Sequence, residues 1–296
     1  MTSNEILLTG ATGFIGSHLL ELLLNANVKV VILIRPNANC WRIDHLLSSE
    51  NLTVFQIPED MNFDSIFKQQ NIHTVYHLAT SYYKKDDTKN IDDMIDANIT
   101  YPSKLLQSAT QYNVVNFIFT SSFFKNPYID STGPINLYGA HKLAFEAILK
   151  YYANNYFINA CVVNLYNVYG AKDNDKVIPK IIKSALQNEE LIFTEPIDNL
   201  YFTYVDQVVN LLVEISTKMI KSYTEHDIKA HVTLNIKTII DNVETLLRKK
   251  INYKFLNQQI HHTVREPEGN NVHVVFNTTK YLNDTIKYYK GEITND

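Results

Sequence analysis

Tyr138 and Lys142 stand four residues apart in "NLYGAHKLAFE" (136–146), and Ser122 closes the run "VNFIFTSS" sixteen residues before the tyrosine. On a helix the i, i+4 spacing puts both side chains on one face. A hydride added to a ketone leaves an oxyanion, so a proton donor must reach the carbonyl oxygen. A phenol with a pKa near about 10 is a reluctant acid–base at neutral pH, and an adjacent ammonium favours its phenolate and lowers that value. Lys142 is suited to this and to holding ribose hydroxyls, and Ser122 to hydrogen-bonding the same substrate oxygen. The spacing alone decides nothing: with 19 tyrosines and 23 lysines in 296 residues, chance supplies about one or two Tyr-x-x-x-Lys pairs, and one occurs. Context has to settle whether the pair is chemical.

That context begins with glycine. Three of the chain's eight glycines crowd into "TGATGFIG" as Gly10, Gly13 and Gly16. A strand reading, "EILLTG" (5–10), precedes the motif, and a helix reading, "FIGSHLLELLLNAN" (14–27), follows it. In that setting Gly10 permits the tight turn, Gly13 lets backbone approach a pyrophosphate, and Gly16 allows close helix–strand packing. The stretch reads as a dinucleotide site. At the end of the second strand, "VVILIRPN" offers Arg35 where NAD-specific proteins of this arrangement hold the ribose with an acidic residue. An arginine there accommodates a 2′-phosphate, so NADP(H) is the preferred cofactor and NAD(H) the alternative. Asp60, just past the third strand, is a candidate for the adenine end.

The elements that must position these residues follow from apolar patterning. "VKVVILI" (28–34), "LTVFQI" (52–57), "TVYHLA" (74–79), "VNFIFTS" (115–121) and "ACVVNLY" (160–166) read as strands. Helices are expected near 96–112 and over 138–155. Apolar runs bounded by turn residues and separated by helices indicate a parallel sheet buried on both faces. The expected fold class is α/β: a Rossmann doubly wound parallel sheet with a smaller discontinuous C-terminal α/β substrate lobe. Residues 1–170 form the NADP-binding domain, its sheet completed by about 200–236. Residues 171–199 and 237–296 form the lobe, with amphipathic helices at 176–190, 205–216 and about 238–249 and a strand at 232–236.

Composition narrows the function classes. Net charge is −4, so no basic face points to nucleic acid. Cys40 and Cys161 have no metal-ligand spacing around them, and the adjacent His261 and His262 bring no third ligand at a sensible distance, so no metal is expected. "MTSNE" before the first strand leaves no room for a signal peptide, and no run approaches a membrane span, so a cytoplasmic protein without membrane insertion is expected.

The ordered set "TGATGFIG", "HLAT", "TSS", "YGAHK" and "NLYNVYG" resembles the extended short-chain dehydrogenase/reductase family (the NAD-dependent epimerase/dehydratases), which acts on nucleotide sugars. The resemblance implies that Ser122, Tyr138 and Lys142 form the catalytic set. It implies backbone pyrophosphate contacts at Phe14 and Ile15, cofactor-lining roles for Leu78, Ala79 and Thr80, and sugar or diphosphate contact at Asn167. Arg265 lies where relatives place a similar arginine, and Ser81, after the fourth strand, joins Ser122 and Phe123 on the substrate side. Phe123 and Phe124 occupy the place of the Asp–Glu pair with which 4,6-dehydratases remove water, so dehydration is not expected. The short Ser122–Tyr138 interval and "HLATSYY", "TSSFFK" and "FEAILKYYANNY" look most like the family's 4-ketoreductases, which reduce a CDP- or dTDP-linked 4-keto-6-deoxy sugar. Two departures stand out: Asn164 and Leu200 replace arginines that many relatives carry. The alternatives are an NAD-dependent 4-epimerase and a dinucleotide-binding scaffold impaired in catalysis. The resemblance also implies a homodimer built on the tyrosine-bearing helix and the one before it.

Overall fold

The computed structural model describes residues 4–83, 87–126, 132–173, 176–193, 199–220, 222–256, 265, 270–274 and 277–295. The chain divides into two compact units. The first comprises Met1–Pro127, Ser131–Leu165 and Val209–Asp227; the second comprises Tyr128–Asp130, Tyr166–Val208 and Ile228–Asp296.

In the first unit the strands are β1 (Glu5–Thr9), β2 (Val30–Ile34), β3 (Leu52–Gln56), β4 (Ile72–His77), β5 (Asn116–Ser122) and β6 (Asn159–Leu165). Between them lie helices α1 (Phe14–Asn25), α2 (Asp64–Gln69), α3 (Thr88–Ile95), α4 (Tyr101–Gln111) and α5 (Leu137–Asn155). The strands pair side by side in the order β3-β2-β1-β4-β5-β6, every neighbour parallel. The strand Tyr223–Ala230 follows β6 as the seventh. Sequence order reverses between β1 and β4, which is where sheets of this kind open a crevice at the carboxyl ends of their strands. The doubly wound α/β expectation therefore holds.

Helices on both faces explain why the central strands are apolar throughout rather than alternating. All seven residues of β5 are buried. Leu7, Val75, Phe117, Val162, Leu105 and Phe145 form part of one continuous core between sheet and helices. Fully burying side chains of this size contributes about 1.5–3 kcal/mol each.

Two local elements differ from the sequence expectation. The helix expected near 96–112 begins earlier, because Asp87 caps α3 by accepting from the Asn90 amide at 3.0 Å; a π-turn over Asp96–Thr100 then carries the chain into α4. The strand expected at 232–236 contributes only Thr233–Leu234, which pairs antiparallel with Leu200–Tyr201. The sheet is extended instead by Tyr223–Ala230, whose sequence "YTEHDIKA" is too polar to read as a buried strand.

The second unit packs three helices, Val177–Gln187, Ile236–Leu247 and Thr278–Asn295, around Ile181, Ile182, Ile239, Ile240, Leu282 and Tyr289. A short parallel ladder, Leu191–Phe193 with Tyr253–Phe255, closes one side of that core.

Candidate active site

The turn after β1 is shaped by what glycine lacks. Gly10 has φ +75°, and a Cβ there would lie 2.6 Å from the Ala79 amide nitrogen and 2.7 Å from the Leu78 carbonyl carbon. The turn is pressed directly onto the chain leaving β4. A Cβ on Gly16 would overlap the Gly10 carbonyl oxygen, so the first turn of α1 packs on the glycine loop without clearance. Gly13 caps α1 with extended backbone and no capping side chain, which leaves the amide end of the helix, opening with Phe14 and Ile15, available to an anion. These features fit a dinucleotide pyrophosphate.

Arg35 is exposed in the turn just beyond β2. A second arginine, Arg42, is buried and reaches back to the glycine turn, donating from Nη1 to the Thr12 carbonyl at 3.3 Å while lying 4.4 Å from the Trp41 ring centroid. Sequence reasoning had no signal for it, because thirty residues separate Arg42 from the loop it braces. Asp60 is engaged locally: its carboxylate accepts from the Asn62 amide at 2.9 Å, and its carbonyl accepts from Lys104 at 3.0 Å.

Thr9 at the end of β1 and His77 at the end of β4 share a buried hydrogen bond of 2.8 Å. Burial, with the charge of Lys142 adding to it, pushes His77 down to about 3. The unfolded chain therefore takes up a proton below the ordinary value of 6.5 that the folded chain refuses, and stability is lost as pH falls from there toward 3. Urea unfolding at pH 6.5 and 5 should show a drop of about 2 kcal/mol that His77→Gln lacks. An equal drop in both proteins would remove His77 as its source.

Beyond His77, Leu78 and Ala79 are half-buried and Thr80 is exposed. Asn98, in the π-turn, holds this segment with three hydrogen bonds of 2.9 Å: its carbonyl oxygen accepts from the Thr80 hydroxyl and the Ser81 amide, and its amide donates to the Ser81 carbonyl. Asn98 went unnoticed in the sequence because a π-turn has no readable spacing. π-turns concentrate at functional sites.

Tyr138 and Lys142 stand together on α5, whose start packs against the turn that follows Ser122 at the carboxyl end of β5. Ser122 is buried, and its hydroxyl accepts from the Phe124 amide at 3.2 Å. Asn136 starts α5 by accepting from the Gly139 amide at 2.8 Å, which sets Tyr138 in the first turn. The half-buried Tyr138 ring meets Tyr82 edge-on at 5.4 Å and Phe124 at 6.5 Å, and Thr80 lies near its phenol. Lys142 is 3% exposed, donates to the Thr120 carbonyl at 2.9 Å, and lies 5.5 Å from the Tyr138 ring centroid.

The charge states differ from the simple expectation of a lowered phenol. Burial pushes Tyr138 up to about 12, opposed by the nearby Thr80 hydroxyl, so the phenol keeps its proton at neutral pH. Burial brings Lys142 down to about 7, opposed by Glu146. Desolvation outweighs the pairing because both groups sit in an apolar wall.

Glu146, one further turn along α5, anchors a buried polar cluster. It accepts from the Ser121 hydroxyl and takes Lys125 on both oxygens at 3.0 and 2.9 Å. Lys125 also reaches Glu225 at 2.6 Å, and the Asn164 amide donates to Glu225 at 2.8 Å and to Asp227 at 3.1 Å. The i+4 relation to Lys142 was the signal that could have found Glu146.

The remaining site residues are distributed as follows. Phe123 is buried against Phe124, ring centroids 4.5 Å apart. Asn167 and Arg265 belong to the second unit, where Asn167 has φ +31° and donates to the Tyr201 carbonyl at 3.0 Å. His261 and His262 lie outside the described residues. Among the described residues no group of three or more His, Cys, Asp or Glu is placed to hold a metal ion, and no helix is long and apolar enough to cross a membrane.

Known proteins resemble this chain along most of its length. It is 29% identical to CDP-abequose synthase of Salmonella muenchen over 261 residues, 85% of this chain and 84% of the relative. Identity to CDP-abequose synthase of Salmonella typhimurium is 30% over 243 residues, 79% and 78% of the two chains. UDP-glucuronic acid 4-epimerase from Bacillus cereus, solved with UDP-glucuronic acid and NAD, superposes with a TM-score of 0.80 at 23% identity, covering 97% of this chain and 99% of that one. The NAD dependent epimerase/dehydratase family matches residues 6–228, and the protein belongs to that family.

Proposed function

We propose that the protein is an NADPH-dependent reductase of the C4 ketone of a CDP- or dTDP-linked 4-keto-6-deoxyhexose, serving deoxysugar synthesis for surface polysaccharide. The observation that carries this reading is the placement of Tyr138 and Lys142 one helical turn apart on a helix start packed against the turn after Ser122, at the sheet edge that also bears the glycine turn. The bound dinucleotide supplies the hydride. Ser122 and Tyr138 hold the ketone oxygen, and Tyr138, protonated at neutral pH, gives its proton to the oxyanion as it forms. Lys142 follows with its ammonium and orients the ribose. Gly10, Gly13, Phe14, Ile15 and Gly16 cradle the pyrophosphate, and Leu78, Ala79 and Thr80 line the cofactor. Ser81, Phe123, Asn167 and Arg265 serve the nucleotide sugar. The similarity to two CDP-abequose synthases supports the substrate class.

The competing reading is an NAD-dependent 4-epimerase, favoured by the epimerases among the structural neighbours. NADPH oxidation against CDP-, dTDP- and GDP-4-keto-6-deoxyhexoses, with product stereochemistry by NMR, separates the two. A reductase consumes one NADPH per sugar, whereas an epimerase consumes none and carries its nicotinamide through purification.

Arg35 carries the cofactor choice in this reading. Arg35→Asp removes a cation from the 2′-phosphate and adds repulsion, so the Kd for NADPH should rise by about 10–100-fold and that for NADH by far less. Equal losses for both cofactors would take Arg35 out of the site. Homodimerisation through α4 and α5 belongs to the same proposal, supported by exposed Leu143 and Tyr151 on α5, and a cytoplasmic location is supported by two free cysteines.

A further inference from the structure

Lys125 has no part in the proton transfer proposed above, yet it is tied to both the turn after Ser122 and the helix that carries Tyr138 and Lys142. It ends the 3-10 turn Phe123–Lys125 that begins directly after Ser122, and its side chain is 15% exposed. Ser121 and Lys125 lie on either side of Ser122, and both fasten to the carboxylate of Glu146. Glu146 sits on α5 one turn past Lys142 and two turns past Tyr138. The Ser122 turn is thus pinned at both ends to the helix that carries the other two residues.

Charge balance depends on the same side chain. Glu146, Glu225 and Asp227 converge here, and Asn164 between the last two donates hydrogen bonds but brings no charge. Burial opposes the ammonium of Lys125, but the two glutamates hold it above the usual lysine range. Burial likewise opposes the charge on Glu225, and Lys125 with Asn164 keeps it below the usual carboxylate range. Removing one partner from such a buried cluster strands the other charges.

We propose that Lys125 is a positioning residue for the reduction, bridging Glu146 and Glu225 so that the Ser122 turn stays docked on the helix of Tyr138 and Lys142 and Glu146 stays charge-balanced beside Lys142. This rests on the reductase reading. The groups facing Lys142 are Tyr138 and Glu146 from α5 and His77 from β4. Those facing Glu225 are Lys125, Lys150, Asn164, Cys161, Tyr223 and His226. Without Lys125, an unbalanced Glu146 holds the proton of Lys142 more tightly.

Lys125→Met and Lys125→Arg in the full chain test this with two readouts. The first is steady-state kinetics; the second is an NMR titration of the lysine ε-carbons, with Lys142 assigned by its loss in Lys142→Arg. Lys125→Met should lower kcat by about tenfold or more with KM for NADPH changed by less than about twofold, because a misdocked Ser122 affects the reacting geometry and not the cofactor. Its Lys142 midpoint should rise. Lys125→Arg, which keeps the charge, should restore both. Should Lys125→Met fail to fold, Glu146→Gln takes its place, with a lowered Lys142 midpoint expected. Equal kcat losses in Lys125→Met and Lys125→Arg, or a Lys142 midpoint unmoved by Lys125→Met or Glu146→Gln, would overturn the assignment. A parent protein that reduces none of the keto sugars contradicts the reductase reading instead, and the titration, which needs no substrate, still decides the role of Lys125.

Discussion

Tyr138→Phe is expected to lower kcat for keto-sugar reduction by about 10²–10⁴-fold, the usual contribution of a positioned acid–base group, while NADPH binding stays within about twofold. The substitution removes one oxygen and leaves the ring in place against Tyr82 and Phe124. Thr80, near the lost hydroxyl, donates to Asn98, which also accepts from the Ser81 amide, so the neighbouring chain keeps those bonds. Stability should change little for that reason. Turnover close to that of the parent protein would exclude Tyr138 as the proton donor and with it the assignment of the site.

Gly139→Val is expected to lower kcat by about 100-fold through geometry alone, since a displacement of about 1 Å at a reacting group is enough for that loss. A Cβ on Gly139 would lie 2.5 Å from the Phe124 carbonyl oxygen and 2.9 Å from its carbon. Those atoms are backbone and cannot swing away, so the start of α5 must back off from the turn after Ser122. Tyr138 moves with it. Overpacking of this kind costs about 1–3 kcal/mol in stability, and a Tm measurement beside the kinetics reads it. The glycine turn is remote from the clash, so NADPH affinity should survive. A Gly139→Val protein with parent kcat would mean that α5 and the Ser122 turn need not touch.

Much of this arrangement was legible in the chain. Five of the six parallel strands, all but the edge strand β3, announce themselves as apolar runs because both of their faces are covered, and glycines at 10, 13 and 16 mark the turn between β1 and α1. Tyr138 and Lys142 gained meaning from their place at the start of a helix after "TSS". What could not be read depends on contacts between distant segments. Tyr223–Ala230 looks like a loop because it carries Glu225 and Asp227, and Lys125 and Asn164 meet those charges from far away in sequence. Asn98 and Arg42 act on loops that no spacing rule connects to them. The protonation of Tyr138 is hidden for the same reason: sequence identifies a lysine neighbour, but burial, which dominates, is a property of the whole fold.

The central claim is that hydride passes from NADPH to C4 of a nucleotide-linked 4-keto-6-deoxy sugar. Incubating the purified protein with deuterated NADPH (4R and 4S separately) and CDP-4-keto-6-deoxyglucose, then recording the proton spectrum of the product, tests it directly. One labelled epimer should place deuterium at C4 of a new alcohol, with one NADPH consumed per sugar and the label introduced about 10²–10⁴-fold more slowly by Tyr138→Phe. A 4-keto sugar recovered unreduced, with no deuterium at C4 and no consumption of added NADPH, would contradict the account.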